Sequence, residues 1–306
     1  MNEMSNSDTD VDFDRIFRAI WISRAQVAGV AIAVTLCSIL LAITRPNTYT
    51  SSTLLAPSEQ SGGSMTGLMA QYSGLASIAG VTLPGGGEAS QAQMGIELMQ
   101  SRAFLIELVK KHDLAPILAA VDYWDSEKGL VYNDNVYDVD SNKWIKNGDG
   151  GVQSKPTELQ LYRMLRDRLD VSENVQTGFI TLSIEHQSPQ VAANLANLIV
   201  SEVNLAMKNQ DVSEATRSIE YLKTQVAATS LTELQAVFFE LIQSQTETMM
   251  LAEVRPEYVF KQIDPAVTPD LPTKPNKPFF VLIGLIVGLI LGITLALISG
   301  FKKLPQ

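Results

Sequence analysis

The sequence predicts an α+β protein: a membrane-proximal α/β base that carries a long projecting helical hairpin and is anchored by two transmembrane helices. Three observations predict it. Residues 25–44 and 278–301 carry no charge and are each long enough to cross a hydrocarbon core of about 30 Å. Between Pro189 and Pro256 there is neither Gly nor Pro, and apolar residues recur every seven positions. Segments of period-two alternation, clearest at Val175–His186, lie among helical patterns on either side of that stretch.

Taken in order, residues 1–24 form a short tail. Phe13, Ile16, Phe17, Ile20 and Trp21 make it an amphipathic approach to a membrane surface. The span 25–44 does not read as a cleavable signal, because its apolar run is too long and Arg45-Pro46 follows it. Two spans place both ends of the chain on one side. Arg15, Arg18, Arg24, Lys302 and Lys303 flank the outer ends of the spans; Arg45, Lys274 and Lys277 flank the inner ends. The excess favours cytoplasmic termini (1–24 and 302–306) and a periplasmic domain over 45–277. Residues 46–277 hold 28 of the 33 acidic and 17 of the 23 basic residues, a net charge of −11. That excludes nucleic acid as a ligand. The only cysteine, Cys37, is inside the first span, so the large domain has no disulfide.

Within that domain the base is expected over 45–187 and 256–267, the helical arm over 188–255 and a proline-rich linker over 268–277. Thr48–Pro57 reads as a strand. Residues 58–90 are rich in Gly and Ser and enclose an apolar island, Leu75–Val81; no phosphate-binding G-x-x-x-x-G-K-[ST] occurs. The segment is expected to be a surface loop, or to pack its island against a neighbour or the membrane. Gln91–Lys111 reads as one helix. Val121–Gly151 is an acidic aromatic loop with Tyr123, Trp124, Tyr132, Tyr137 and Trp144. Asp138, Asp140 and Asn142 alternate as in a calcium loop, but Lys143 stands where Gly is needed and Asp149 where Glu is usual. Exposed aromatics beside carboxylates also suit sugar; a plain surface loop is the simpler reading. Thr157–Leu169 reads as a short helix.

Ser188 as cap and Pro189 at the first helical position start the arm. Its seam is Val191, Leu198, Leu205, Val212, Ile219 and Val226, joined higher up by Ala215 and Leu222. The pattern breaks at Ala228, and Ser230 with Glu233 forms an S-x-x-E capping box, so a second helix returns from about 231 to 253. Thr229, Ser230 and Glu233 mark the arm tip. The lower part, 191–207, has no returning helix to cover it and is expected to pack against a neighbouring copy. Glu257–Val267 reads as a strand. Pro269, Pro272, Pro275 and Pro278 follow at the three-residue period of a stiff polyproline II spacer. The second span carries Gly284, Gly288 and Gly292, a doubled G-x-x-x-G face for close helix packing with a partner span.

Nothing points to catalysis. No G-x-S-x-G, H-E-x-x-H or C-x-x-C occurs, and neither His112 nor His186 has partners at metal-ligand spacing. Catalytic, cofactor-binding and metal-binding residues are all expected to be none, and His186 is read as structural.

The layout resembles the polysaccharide co-polymerases, the chain length determinant (Wzz) family. The resemblance is carried by Tyr49–Pro57, Ser101-Arg102-Ala103-Phe104-Leu105, Thr177-Gly178-Phe179 through Ser188-Pro189, Arg217–Leu222, Met250–Arg255 with Glu257-Tyr258, Ile263-Asp264-Pro265-Ala266, and the proline run with its three glycines. It implies a bacterial inner-membrane homo-oligomer, a ring with arms directed away from the membrane. It also implies a separate membrane polymerase as partner, with the lipid-linked glycan that the polymerase builds as a further candidate partner, and a role in setting the modal length of lipopolysaccharide O-antigen. The hairpin is shorter than in many relatives, and the chain resembles the stand-alone branch without a kinase domain. The alternatives are length control of a capsule or exopolysaccharide, and a periplasmic adaptor of an export machine.

Overall fold

A computed structural model describes residues 24–58, 91–145 and 155–301. The approach segment 13–21, the Gly-rich stretch 59–90 with its island, Asp149 and the tail 302–306 lie outside the described residues. The chain divides into two compact units, Met1–Asn47 with Thr273–Gln306, and Thr48–Pro272.

The first unit holds α1 (Arg24–Thr44) and α8 (Lys277–Phe301). Both are long and apolar enough to cross a membrane. They pack along each other as an antiparallel pair.

The second unit is built on a four-stranded sheet of order β6-β7-β1-β8, with every neighbouring pair antiparallel. The strands are β1 (Tyr49–Pro57), β6 (Leu169–Glu173), β7 (Ile180–His186) and β8 (Phe260–Asp264). Alternation fixes the register. Leu55 faces Ile180, Thr53 faces Leu182, Ser51 faces Ile184 and Tyr49 faces His186, and this set points into the core. Five helices cover or flank that face: α2 (Gln91–Gln100), α3 (Arg102–Lys111), α4 (Ala115–Ala119), α5 (Glu158–Arg166) and the first half of α6 (Pro189–Ala228). Two small hairpins, β2 (Val121–Asp125) with β3 (Gly129–Tyr132) and β4 (Tyr137–Asp138) with β5 (Lys143–Trp144), occupy most of the aromatic loop. The second half of α6 pairs with α7 (Thr232–Val254).

The 40 residues of α6 make a rod of about 60 Å. Ser188 caps it with its hydroxyl accepting from the Val191 N–H, and Pro189 opens it. The lower half does not wait for a neighbour. Ala192, Leu195, Ala196, Ile199, Val200 and Val203 are buried against the protein's own sheet and α2. The buried row is therefore displaced from the seven-residue seam expected from the sequence. Val191, Leu198 and Val212 flank the core half-buried, and Leu205 is 41% exposed. A straight helix on a sheet buries residues at three- and four-residue steps, whereas a strict seven-residue stripe belongs to a supercoiled partner helix. Higher up, Ala215 is buried and Ile219 and Val226 are half-buried.

Other boundaries also differ. The expected helix Gln91–Lys111 is two helices, because Ser101 leaves the helix and caps α3 by accepting from the Phe104 N–H. The S-x-x-E box at the arm tip does not form: Leu231 is the N-cap of α7 with no side-chain bond, and Ser230 and Glu233 are exposed. Thr229 ends α6 as its C-cap. A capping box does form at Thr157 and Gln160, at the start of α5. The strand β6 was not foreseen. The proline run is not one straight spacer, since the chain bends at Asp270, Leu271 and Pro275.

Candidate functional site

Three arrangements stand out: a polar ladder on lower α6, an open face on the upper hairpin, and the glycine face of α8.

The ladder runs at seven-residue spacing. Seven residues rotate a helix to within about 20° of a whole number of turns, so Asn197, Asn204 and Asp211 share one face. Asn204 is buried. Its Oδ1 accepts from the Val259 and Phe260 N–H groups at 2.9 and 2.8 Å, and its Nδ2 donates to the Phe260 carbonyl at 2.8 Å. Asn197 repeats the pairing on Ala266, accepting from its N–H at 3.0 Å and donating to its carbonyl at 2.9 Å. Gln262 Nε2 adds a bond to Asn197 Oδ1 at 3.0 Å. Asp211 Oδ2 accepts from the Tyr258 hydroxyl at 2.7 Å and from Gln91 Nε2 at 3.0 Å. The amides thus satisfy backbone groups of the return segment 258–266 along the outer edge of the sheet. The sequence reasoning missed all three residues. Their signal was present as polar groups at a fixed seven-residue interval inside an apolar helix.

The upper hairpin is covered on one side only. An open groove of about 600 Å³ runs between α6 and α7, lined by Ile219, Lys223, Ile242, Met249, Met250 and Val254. Tyr221, Met250 and Val254 are largely exposed. At the tip the last carbonyls of α6 are met by Gln235, whose Nε2 donates to Thr229 at 2.9 Å and Val226 at 3.4 Å. Gln235 thus closes the C-terminal end of α6, a different task from the capping of the α7 N-terminus expected of Ser230 and Glu233.

In the first unit the glycine face is filled from within the chain. A Cβ at Gly284 would lie 2.7 Å from Ser38 Cβ, at Gly288 2.8 Å from Ala31 Cα, and at Gly292 3.0 Å from the Val27 carbonyl oxygen. No ordinary side chain fits at Gly284 or Gly288 without separating the helices. Ser38 Oγ ties the pair by donating to the Phe280 carbonyl at 2.7 Å. The face expected to meet a partner span meets α1 of the same chain.

Several titratable groups elsewhere have identifiable structural partners. His186 is 1% exposed; its Nδ1 accepts from the Ser188 N–H at 3.0 Å and its Nε2 pairs with the Ile117 carbonyl at 3.1 Å, which makes it the neutral Nε2–H tautomer. Burial pushes its pKa down to about 4, against the bond to Ile117, and the charge of Arg168 adds to the depression. Glu202 is raised by burial, but Lys111 and His112 beside it outweigh this and hold its carboxyl below the usual range. In the aromatic hairpins the rings meet each other, Tyr137 with Trp144 at 5.2 Å and Tyr49 with Trp124 at 5.5 Å. Tyr137 donates to Asn142, and Asp138 accepts from the Asp140 and Ser141 N–H groups of its own loop. Among the described residues no three potential metal ligands converge.

Residues 9–112 match the family model described as chain length determinant protein, Wzz. Residues 234–301, from α7 through α8, match a second model, the G-rich domain on putative tyrosine kinase. No curated protein matches the sequence. Among solved structures the chain is similar to a full-length bacterial polysaccharide co-polymerase at 10% identity, over 94% of this chain and 97% of that one, with a TM-score of 0.39. It is similar also to a fragment of WzzB, a polysaccharide co-polymerase from Salmonella Typhimurium, at 13% identity over 74% of this chain and 100% of the fragment, with a TM-score of 0.25. Over the stretch that holds its first span, first strand and first helices, the chain therefore carries a chain length determinant (Wzz) domain.

Proposed function

We propose that this protein sets the modal length of a surface polysaccharide, lipopolysaccharide O-antigen in the first instance. It does so as a ring of identical copies that organises a separate membrane polymerase and its lipid-linked product. In this reading it makes and breaks no glycosidic bond itself. The domain between the spans is periplasmic, the termini are cytoplasmic, and the membrane is the bacterial inner membrane. The observation that carries the reading is the match of residues 9–112 to the chain length determinant model, in a chain whose one large unit is bracketed by two helices able to cross a membrane. The open apolar groove of the upper hairpin supports assembly, because exposed Met and aromatic surface of this kind marks interaction sites.

The test is a gel of lipopolysaccharide from a strain lacking the gene, with and without the gene restored. A ladder without a preferred length that regains its modal band on restoration supports the reading. An unchanged ladder removes O-antigen as the polymer. Sizing of capsule and exopolysaccharide from the same strains then decides between those polymers and no role in length at all.

A further inference from the structure

The return segment 258–266 meets β1 through only a short stretch of paired strand, and that pairing is interrupted by a register shift between Leu54 and Leu55. Its other side is held by side chains alone. Asn204 and Asn197 each pair with both the N–H and the carbonyl of one residue, Phe260 and Ala266, Asn204 also accepts from the Val259 N–H, and Asp211 holds Tyr258. All three rungs lie on one face of α6. They run from the part of the helix buried in the core to Asp211, just below the open groove, which begins at Thr216. A turn of α6 about its axis by one residue, about 100°, would break all the rungs at once. A slide of the return segment by one residue would present side chains where the amides need N–H and C=O groups.

We propose that Asn197, Asn204 and Asp211 are positioning residues for length control. They fix the angle and register at which the arm leaves the base, and modal length depends on that setting. The inference rests on the function proposed above. None of the three touches the glycan or the polymerase in this account; they act through the orientation of the upper hairpin.

The experiment restores the full-length gene to the deletion strain as wild type, Asn197→Ala, Asn204→Ala, Asp211→Ala and Asp211→Asn. Membrane levels are matched by immunoblot, and folding is checked by limited trypsin digestion of the solubilised protein. The expected result is a shifted or broadened modal band for the three alanine variants at wild-type protein level and trypsin pattern. Asp211→Asn, which keeps an acceptor for Tyr258 and Gln91, should return the wild-type band. Folded variants at matched level with an unchanged band overturn the proposal. So does loss of folded protein in all three alanine variants, because the ladder would then be a requirement of folding and not of setting. Asn204→Ala strips the most bonds; should it alone fail to fold, Asn197→Ala and Asp211→Ala decide. A wild-type gene that restores no modal band sinks the function reading itself, an outcome distinct from failure of the variants.

Discussion

The two halves of α6 are one continuous helix with opposite surroundings. The lower half carries Leu195, Ile199, Val203 and Met207 into the core and is splinted by asparagines to the return segment. The upper half is covered by α7 on one side and leaves Tyr221 in the open, as α7 itself leaves Met250 and Val254. Secondary structure alone does not tell these halves apart; what each apolar residue finds opposite it does. The lower half is where the fold is held, and the upper half is surface available for assembly.

The largest test of this contrast is core truncation. Ile199→Ala should lower unfolding free energy by about 2–5 kcal/mol, whereas Met250→Ala and Tyr221→Ala should each stay within about 0.5 kcal/mol in the dissociated protein, read by denaturant melts. Comparable losses from both halves would erase the distinction. A pH series probes the buried side further. His186 has a folded pKa near 4 against an ordinary 6.5, so the unfolded chain takes up its proton first as the solution is acidified. Stability from this group is whole above 6.5 and declines by at most about 3 kcal/mol as pH falls toward 4. His186→Gln should flatten that part of the profile, and an unchanged slope would show that the carboxylates alone set it. In the membrane pair, Gly288→Leu should cost about 1–3 kcal/mol of helix packing and disturb glycan length, while the melt of the large domain stays unchanged. At the arm tip the effects are smallest. Gln235→Ala should cost about 1 kcal/mol by freeing two carbonyls, and Ser230→Ala or Glu233→Ala less than about 0.5 kcal/mol, measured by the same melts.

Much of this architecture was legible. Ser188-Pro189 and the long stretch without Gly or Pro read correctly as the start and length of α6. The two uncharged stretches read as α1 and α8, and the alternation at Val175–His186 marked the strand that runs over Ile180–His186 and buries Ile180, Leu182, Ile184 and His186. What was not legible depended on partners distant in sequence. The stripe from Val191 to Val226 assumed a single partner all along α6, but the helix exchanges the sheet for α7 partway up, and the buried row moves with it. Ser230 and Glu233 have the spacing of a cap, yet the N-cap of α7 falls one residue later, at Leu231, and the side chain that secures the tip is Gln235, bound to the last carbonyls of α6. Asn197 and Asn204 looked like ordinary polar positions, because nothing local says that an edge strand will return beside them. Gly284, Gly288 and Gly292 read as a close-packing face for a partner span, but the sequence does not say which helix fills it, and Val27, Ala31 and Ser38 of α1 lie against it.

The amide pairs of Asn204 and Asn197 have one more consequence. β8 is the outer strand of its sheet, and an outer strand exposes a row of backbone donors and acceptors that invites other strands. At Phe260, and just past the strand at Ala266, those groups already face side-chain amides that stand in for a neighbouring strand. A strand from a second molecule would have to displace the Asn204 amide to pair at Phe260, so that end of β8 is guarded against edge-to-edge growth between crowded copies.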